Sequence, residues 1–197
     1  MRRLLLSFAS VALALAAGCS DSPTESTEAA PAAVEQPTAA TEAEIEPAEE
    51  NEPVRHLNVL VYRPAAGGRG LIGESHEIFN TIAPGDRAKQ ILADLITGPT
   101  GKTGLRALPS GTELRQVYVL ENGTAYVDFS SELKRGLRGG SSEELYTVYS
   151  IVNSVALNIP EIRRVGLLVD GQPIDTLNGH LDLRRPLPPD LSVIRRQ

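Results

Sequence analysis

The chain has 197 residues and a formal net charge of −6, and its charges are unevenly distributed. Residues 20–53 hold ten acidic and no basic residues, whereas residues 54–197 hold 17 basic and 15 acidic residues. The part that can fold is therefore nearly neutral, and no clustered basic surface points to a nucleic-acid partner. The single cysteine, Cys19, excludes an internal disulfide framework.

The first 18 residues have the pattern of a secretory signal peptide. Arg2 and Arg3 precede an apolar run over residues 4–17 that is too short to span a membrane. Cys19 follows Ala-Ala-Gly at residues 16–18, which resembles the lipobox of bacterial lipoproteins. The resemblance implies that Cys19 becomes the acylated N-terminus, with palmitate among its chains, and anchors the protein in a membrane. The alternative is a free thiol beside an ordinary cleavage site, but one unpaired cysteine in an exported protein favours lipidation.

Residues 19–53 comprise this cysteine and a linker of mainly Ala, Glu, Thr and Pro. Such a composition cannot bury enough apolar surface to fold, so we expect a disordered, extended tether. Thirty-odd residues span roughly 30 Å as a coil and on the order of 110 Å when straight. The tether therefore lets a domain over residues 54–190 work away from its membrane, and residues 191–197 form a C-terminal tail.

The first half of the domain contains two predicted strands and one helix. Leu57–Tyr62 is rich in β-branched and aliphatic residues and predicts a strand. A loop over residues 63–73 leads to a short returning strand, Gly73–Asn80. Asp86–Thr97 has apolar residues at helical spacing, with Asp86 as the predicted N-cap residue.

Glu113–Ser130 is predicted to form a β-hairpin. Two apolar runs flank Asn122-Gly123, the residue pair preferred in a type I′ turn. Counting outward from a two-residue turn pairs Leu120 with Ala125 and places Tyr118 on the apolar face.

The second half contains the central helix and a buried strand. A polar connection over residues 131–140 precedes a helix from Ser141 to Ile159, whose start carries a capping box between Ser141 and Glu144. Val165–Val169 has the unbroken apolar character of a strand that is buried on both faces. Further strands are expected over residues 172–177 and 180–183. The order strand, helix, two strands, helix, strand predicts an α+β domain, a mixed or antiparallel sheet with two helices on one face.

From Ile96 onward the sequence resembles the GerMN domain of sporulation and germination lipoproteins. The matching segments are TGPT at residues 97–100, ALPSGTELRQVYV at 107–119, NGTAYVDFS at 122–130, GGSSEELYTVYSIVNSV at 139–155 and VGLLVDGQPIDTLNGHLDL at 165–183. The resemblance implies a non-enzymatic interaction module of the cell envelope, with a fold similar to that of ring-building domains. In a sporulating example such a module helps assemble a complex between two membranes.

Four residues match positions typical of the family and form a candidate interaction edge: Asp170, Gly171, Gly179 and His180. Turn geometry alone also explains them, because Gly tolerates a positive φ and Asp begins a bend. A Ser–His–Asp set from Ser141 or Ser142, His180 and Asp182 lacks a nucleophile elbow, and a local bond between His180 and Asp182 explains that pair.

We therefore expect no catalytic residues, no cofactor and no metal, since the three histidines are widely scattered. The predicted function is binding of other envelope proteins by a lipid-anchored domain that faces the periplasm or the exterior. An alternative is binding or processing of cell-wall glycan or peptide. Tyr118, Tyr126, Tyr146 and Tyr149 are candidates for an exposed aromatic patch, but we expect Tyr118 and Tyr149 to pack in the core and Tyr126 and Tyr146 to face outward. A third reading is self-association.

Overall fold

The computed structural model describes residues 55–195, so the predicted signal peptide, Cys19 and the tether lie outside the described residues. In chain order the elements are β1 (His56–Pro64), β2 (Leu71–Phe79), α1 (Pro84–Thr97), β3 (Leu114–Val119), β4 (Thr124–Phe129), α2 (Glu132–Arg135), α3 (Ser141–Ala156), β5 (Arg164–Val169) and β6 (Gln172–Pro173). A 3-10 turn follows at Leu191–Val193. The predicted α+β class is confirmed, and the returning strand β2 is present.

The strands form two sheets, where the sequence predicted one. β1 and β2 pair alone and antiparallel, whereas the second sheet has the order β3-β4-β5-β6. Within it β4 and β5 run parallel, and the other pairs are antiparallel. The strand predicted over residues 172–177 is only two residues long, and residues 180–183 form no strand.

The core lies where the two long helices meet both sheets. α1 packs against β1, β2 and β3, while α3 packs against α1, β1 and β5. Fully buried aliphatic side chains from every layer meet here, and the largest are Val61, Ile91, Leu92, Leu95, Leu133, Ile151, Ile159 and Ile162. Each contributes about 1.5–3 kcal/mol of gross stabilisation.

α1 begins two residues before the predicted cap. Ala83 is the N-cap residue and Pro84 occupies the first turn, where its missing N–H costs nothing. Asp86 is therefore not the cap; its carboxylate lies 3.2 Å from Lys89 Nζ in the first turn. The sequence prediction overlooked the pre-set φ of Pro84, which favours a helix start at that residue.

The C-terminus of α1 is closed by two arginines. Arg63 on β1 donates to the carbonyl oxygens of Asp94 and Leu95 at 2.6 and 3.0 Å. Arg106 donates to the next two carbonyls at 2.8 and 3.2 Å, so all four carbonyls of the last helical turn are bonded. The Arg63 side chain is fully buried, and its Nε lies 3.0 Å from a carboxylate oxygen of Glu74.

The predicted capping box of α3 is wrong. Gly140 is the N-cap residue, with no side-chain cap, and Ser141 is the first residue of the helix. Glu143 reaches back to accept the N–H of Gly139, whereas the carboxylate of Glu144 turns into the interior. The helix ends at Ala156, before the predicted Ile159, and the connection at residues 131–140 contains the short helix α2.

The hairpin of β3 and β4 has a register shifted by one residue from the prediction. Leu120 N–H donates to Thr124 O at 2.9 Å and Gly123 N–H to Leu120 O at 3.0 Å, which closes a three-residue loop. Gly123 takes a φ of +79°, as expected for a type I turn followed by a left-handed residue. Tyr118 consequently faces outward and is 50% exposed, so the prediction that it packs in the core is wrong.

α3 protects the outer edge of β1. Ser154 Oγ accepts the N–H of Tyr62 at 2.8 Å. Asn158 accepts the N–H of Leu60 at 2.9 Å and donates to the carbonyl of Leu60 at 2.8 Å. These side chains replace the strand that would otherwise pair there, so β1 offers no open edge at these positions.

Candidate functional site

The first part of the candidate edge is the tight turn between β5 and β6. Asp170 and Gly171 have φ values of +50° and +76°, the two left-handed residues that a type I′ turn requires. The N–H of Gly171 donates to Asp128 Oδ1 at 2.8 Å, so a carboxylate on the neighbouring strand β4 holds the turn.

Arg115 joins this turn to the sheet. Its Nη1 lies 3.1 Å from Asp170 Oδ1 and its Nε lies 3.5 Å from Asp128 Oδ2. The side chain of Asp128 is only 6% exposed, whereas those of Arg115 and Asp170 are about half exposed, at 53% and 48%. Asp128 and Asp170 are thus both paired with Arg115, which ties the exposed turn to the sheet.

The second part of the edge is a loop that is held by the buried carboxylate of Glu144. This carboxylate accepts four hydrogen bonds, from the Thr176 hydroxyl at 2.5 Å and from the N–H groups of Leu177, Asn178 and His180 at 2.9, 3.0 and 2.8 Å. Burial raises the pKa of Glu144, but the hydrogen bonds outweigh burial and lower the pKa to about 2. The group is therefore charged at neutral pH although it has no exposed surface.

His180 and Gly179 lie on the exposed side of this loop. His180 Nδ1 is 3.1 Å from Glu144 Oε2, and the imidazole is 44% exposed. Gly179 has a φ of +90°, and its N–H donates to the Thr176 hydroxyl at 2.6 Å. All four residues of the candidate edge are exposed, but each pair is anchored by a different carboxylate, Asp128 or Glu144.

The Ser–His–Asp set is not assembled. His180 is bonded to Glu144, so the predicted local bond to Asp182 is wrong. Asp182 instead accepts from Arg184 at 2.9 and 2.7 Å, and this pairing lowers the pKa of Asp182. Ser141 begins α3.

Among residues 55–195, no group of three or more His, Cys, Asp and Glu side chains is arranged to hold a metal ion. None of the helices within those residues is both long enough and apolar enough to cross a bilayer.

Of the four tyrosines of the predicted patch, Tyr118 and Tyr126 lie side by side on the outer face of the larger sheet, where Tyr118 is exposed and Tyr126 is half-buried. Tyr118 and Tyr126 are direct cross-strand partners. Tyr126 lies across Gly166 of β5, where an added Cβ would come within 2.7 Å of the ring. Tyr149 packs partly buried against the core, as expected, and Tyr146 is half-buried.

The sequence analysis missed the two carboxylates that hold the candidate edge. Asp128 carried a usable signal, because an acidic residue within an apolar strand must find partners if it is buried. Glu144 carried none, since its partners lie more than 30 residues further along the chain.

Comparison with known proteins identifies relatives by family and by fold. The family profile Germane, described as sporulation and spore germination, matches residues 61–175. No curated protein matches. A Clostridium perfringens chain described as a lipoprotein shares 23% identity and a TM-score of 0.50, over 68% of this chain and 87% of that one.

The structure is also similar to GerMN domains of the sporulation protein GerM from Bacillus subtilis. The first domain shares 21% identity and a TM-score of 0.53, over 68% of this chain and 96% of that one. The tandem pair shares 20% identity and a TM-score of 0.53, over 70% of this chain and 46% of that one. At these identities the likeness concerns the fold.

Proposed function

Because this chain belongs to the Germane family and its domain is GerMN-like, we propose that it is a lipid-anchored envelope protein that assembles with other envelope proteins. The domain family is associated with sporulation and spore germination. The proposed action is binding without catalysis, and the binding surface is the rim formed by Asp170, Gly171, Gly179 and His180.

One observation carries this proposal, namely that a buried carboxylate hydrogen-bonds to the backbone of each of the two exposed parts of this surface. Asp128 fixes the turn at Gly171, and Glu144 fixes the loop that ends at His180. A rim that is already ordered loses little conformational entropy when a partner binds, which favours recognition. The acids nearby are engaged in ion pairs and hydrogen bonds, which favours a structural role for them over proton transfer.

Membrane anchoring is proposed from the sequence around Cys19. The signal-like residues 1–18 end at this cysteine, and the relative from Clostridium perfringens is described as a lipoprotein. Several acyl chains on one residue give stable membrane attachment, whereas a single chain gives only marginal binding.

In-cell crosslinking tests the proposal. A photo-crosslinking amino acid at Gln172, beside the Asp170 turn, should capture a defined envelope protein in wild-type cells. The same group at Arg135, an exposed position on α2, is the matched control and should not capture it. Capture should also weaken in the Cys19→Ser variant. Recovery of the bait alone from Gln172, with the domain folded, would contradict the proposal.

A second candidate, glycan binding, is favoured by the cross-strand pair of the exposed Tyr118 and the half-buried Tyr126. Aromatic faces are suited to stacking against sugar rings because one side is apolar and the hydroxyl stays wet. Muropeptides should then shift the tyrosine fluorescence of the wild type, and Tyr118→Ala should abolish that shift. An unchanged spectrum and melting temperature would remove this option.

A further inference from the structure

The outer edge of β2 carries backbone groups with no partner in the described chain. In the β1–β2 ladder, Leu60 and Tyr62 direct their N–H groups away from β2, to Asn158 and to Ser154 of α3. Their Cα partners Ser75 and Gly73 must therefore also direct their N–H and C=O groups away from β1, because opposed residues in an antiparallel pair share one orientation. Backbone N–H and C=O groups alternate in direction along a strand, so Glu77 also directs these groups away from β1. None of these three residues makes a hydrogen bond at that edge within residues 55–195.

Both ends of this edge are closed, so the open stretch is defined. At one end the N–H of Arg195 donates to Leu71 O at 2.7 Å, and Ile194 bridges to Leu71 in parallel. At the other end the side-chain amide of Gln90 bonds both the N–H and the C=O of Phe79, at 2.8 and 3.1 Å. Proteins normally protect an edge strand against pairing with another chain. Here only the two ends of the strand are protected, and three alternate residues between them keep outward N–H and C=O groups that could pair with an added strand.

A cavity lies at each end of the open stretch, and the two differ in charge. The cavity beside Gly73 has a volume of about 490 Å³ and is lined by Lys102, Thr103 and Arg195. Neither cation makes an ion pair within the described residues. The cavity at the opposite end has a volume of about 370 Å³ and is lined by Glu77 and Asp94 together with His56 and uncharged side chains. The Asp94 carboxylate also lies 3.3 Å from His76 Nδ1.

The position of α1 determines what kind of molecule can bind at the open edge of β2. Gln90, Ala93 and Asp94 of α1 line the same cavity as Glu77 of β2, so the helix stands alongside the edge. An edge strand beside a helix forms a groove that admits one extended segment, as in strand-addition recognition of peptides. A second folded copy would have to place its own sheet in the same narrow space.

We propose that the groove between β2 and α1 binds an extended segment of a partner protein, which pairs antiparallel with Gly73–Glu77. The segment carries an acidic residue at its C-terminal end, against Lys102 and Arg195, and a basic residue at its N-terminal end, against Glu77 and Asp94. The site is on a different sheet from the Asp170–His180 rim, and the inference does not depend on the proposed function.

Two blocked heptapeptides serve as probes, Lys-Thr-Val-Thr-Val-Thr-Glu and the reversed sequence. They are titrated into the chain from Ser20 to Gln197, and binding is followed by calorimetry and by amide NMR. The first peptide should bind more tightly than the reversed one, with shifts and exchange protection at Gly73, Ser75 and Glu77. Absence of binding by either peptide, tighter binding of the reversed one, or shifts elsewhere would overturn the proposal.

Ser75→Pro removes an outward N–H that the β1–β2 ladder does not use, so the fold should persist. It should weaken peptide binding at least about tenfold, whereas Ser75→Ala, which keeps the N–H, should leave binding unchanged. Lys102→Glu should weaken binding without touching the strand, and Lys134→Glu on α2 is its charge-matched control. Unchanged binding in both Ser75→Pro and Lys102→Glu would overturn the site.

Two further results would assign the edge to a different occupant. Protection of the same amides in the free chain, lost on deleting residues 20–53, would mean that the chain's own acidic segment fills the groove. A concentration-dependent mass by light scattering, abolished by Ser75→Pro, would mean that a second copy does. Either result would overturn assignment to a partner protein.

Discussion

Glu144 joins the central helix to a loop more than 30 residues further along the chain, and it does so as a charged group inside the protein. A buried carboxylate is costly unless it is hydrogen-bonded, and here four donors converge on it. Each N–H that it accepts also fixes one residue of the loop from Thr176 to His180. The charge is therefore part of what orders the exposed rim.

The first prediction concerns the pH dependence that this charge creates. The pKa of Glu144 falls from 4.5 to about 2 on folding, so its stabilisation is complete above pH 4.5 and is lost as the pH falls towards 2. The shift corresponds to up to about 3 kcal/mol. Glu144→Gln should therefore lower the free energy of unfolding at pH 7 and flatten its decline between pH 4.5 and 2. Urea denaturation across that range measures both.

Glu121→Gln is the control, because it makes the same change at an exposed residue of the loop between β3 and β4. It should retain the wild-type pH dependence of stability. Identical pH profiles for wild type and Glu144→Gln would contradict the structural role assigned to Glu144.

Glu144 also shows why a local sequence pattern can predict the wrong helix cap. The spacing of Ser141 and Glu144 matches a capping box, yet Gly140 is the N-cap residue, and the back-reaching acid is Glu143. A capping box relates residues within one helical turn, whereas tertiary packing determines which groups form hydrogen bonds with Glu144. Asp170 and Gly171, in contrast, form the turn that their sequence predicted, because the preference for a positive φ is a property of the residues themselves.

At the scale of elements, the contact between α3 and β1 gives a matched pair of serines. Both Ser154 and Ser150 are fully buried on α3, but only Ser154 Oγ accepts a backbone N–H, that of Tyr62. Ser150 Oγ has no hydrogen-bond partner. Ser154→Ala should cost about 1–3 kcal/mol because it leaves the Tyr62 N–H unsatisfied, whereas Ser150→Ala should be near neutral. Chemical denaturation measures both, and equal losses would refute this reading.

The two arginines at the end of α1 give a second comparison. Arg63 is fully buried and paired with Glu74, so Arg63→Met leaves that carboxylate largely buried without its partner and should cost about 3–5 kcal/mol. Arg106 bonds the same helical turn from an exposed position, and Arg106→Met should cost no more than about 1 kcal/mol. Thermal or urea unfolding of both variants tests the ranking. A larger loss for Arg106→Met would be the contrary outcome.

The hairpin shows that an element can be predicted while its register is not. Asn122-Gly123 correctly marked the reversal between β3 and β4. A two-residue and a three-residue loop both use Gly in a left-handed conformation, and they differ by one residue in pairing. This shift of one residue in the strand pairing places Tyr118 on the exposed face of the sheet and not in the core, as had been expected.

For the whole molecule, hydrophobic periodicity identified the two long helices, most strands and the α+β class, but neither the short helix α2 nor the division into two sheets. Periodicity reports which face of a strand is buried and not which strand is its neighbour. β1 and β2 separate from the other strands because the side chains of Ser154 on α3 and of Asn158, just after α3, occupy the edge of β1. The open edge of β2 follows from the same arrangement and could not be read from residues 71–79 alone.

Attachment to the membrane is predicted to depend on Cys19. Cys19→Ser removes the thiol that would carry the lipid and should move the protein from the membrane fraction to the soluble fraction. Ser20→Ala keeps the thiol and should remain in the membrane fraction. Mass spectrometry of the N-terminal peptide checks the modification directly. Equal membrane fractions for wild type and Cys19→Ser would contradict lipid anchoring at this residue.

The length of the segment after Cys19 should set how far the domain reaches. Residues 20–53 extend at most about 110 Å, and deleting residues 25–48 leaves a span of roughly 35 Å. The shortened chain should keep its membrane attachment and melting temperature but lose crosslinks to partners far from its membrane. A Gly/Ser segment of the original length should restore those crosslinks, because a spacer needs length and flexibility rather than particular side chains. Failure to restore them would instead assign a binding role to the acidic residues.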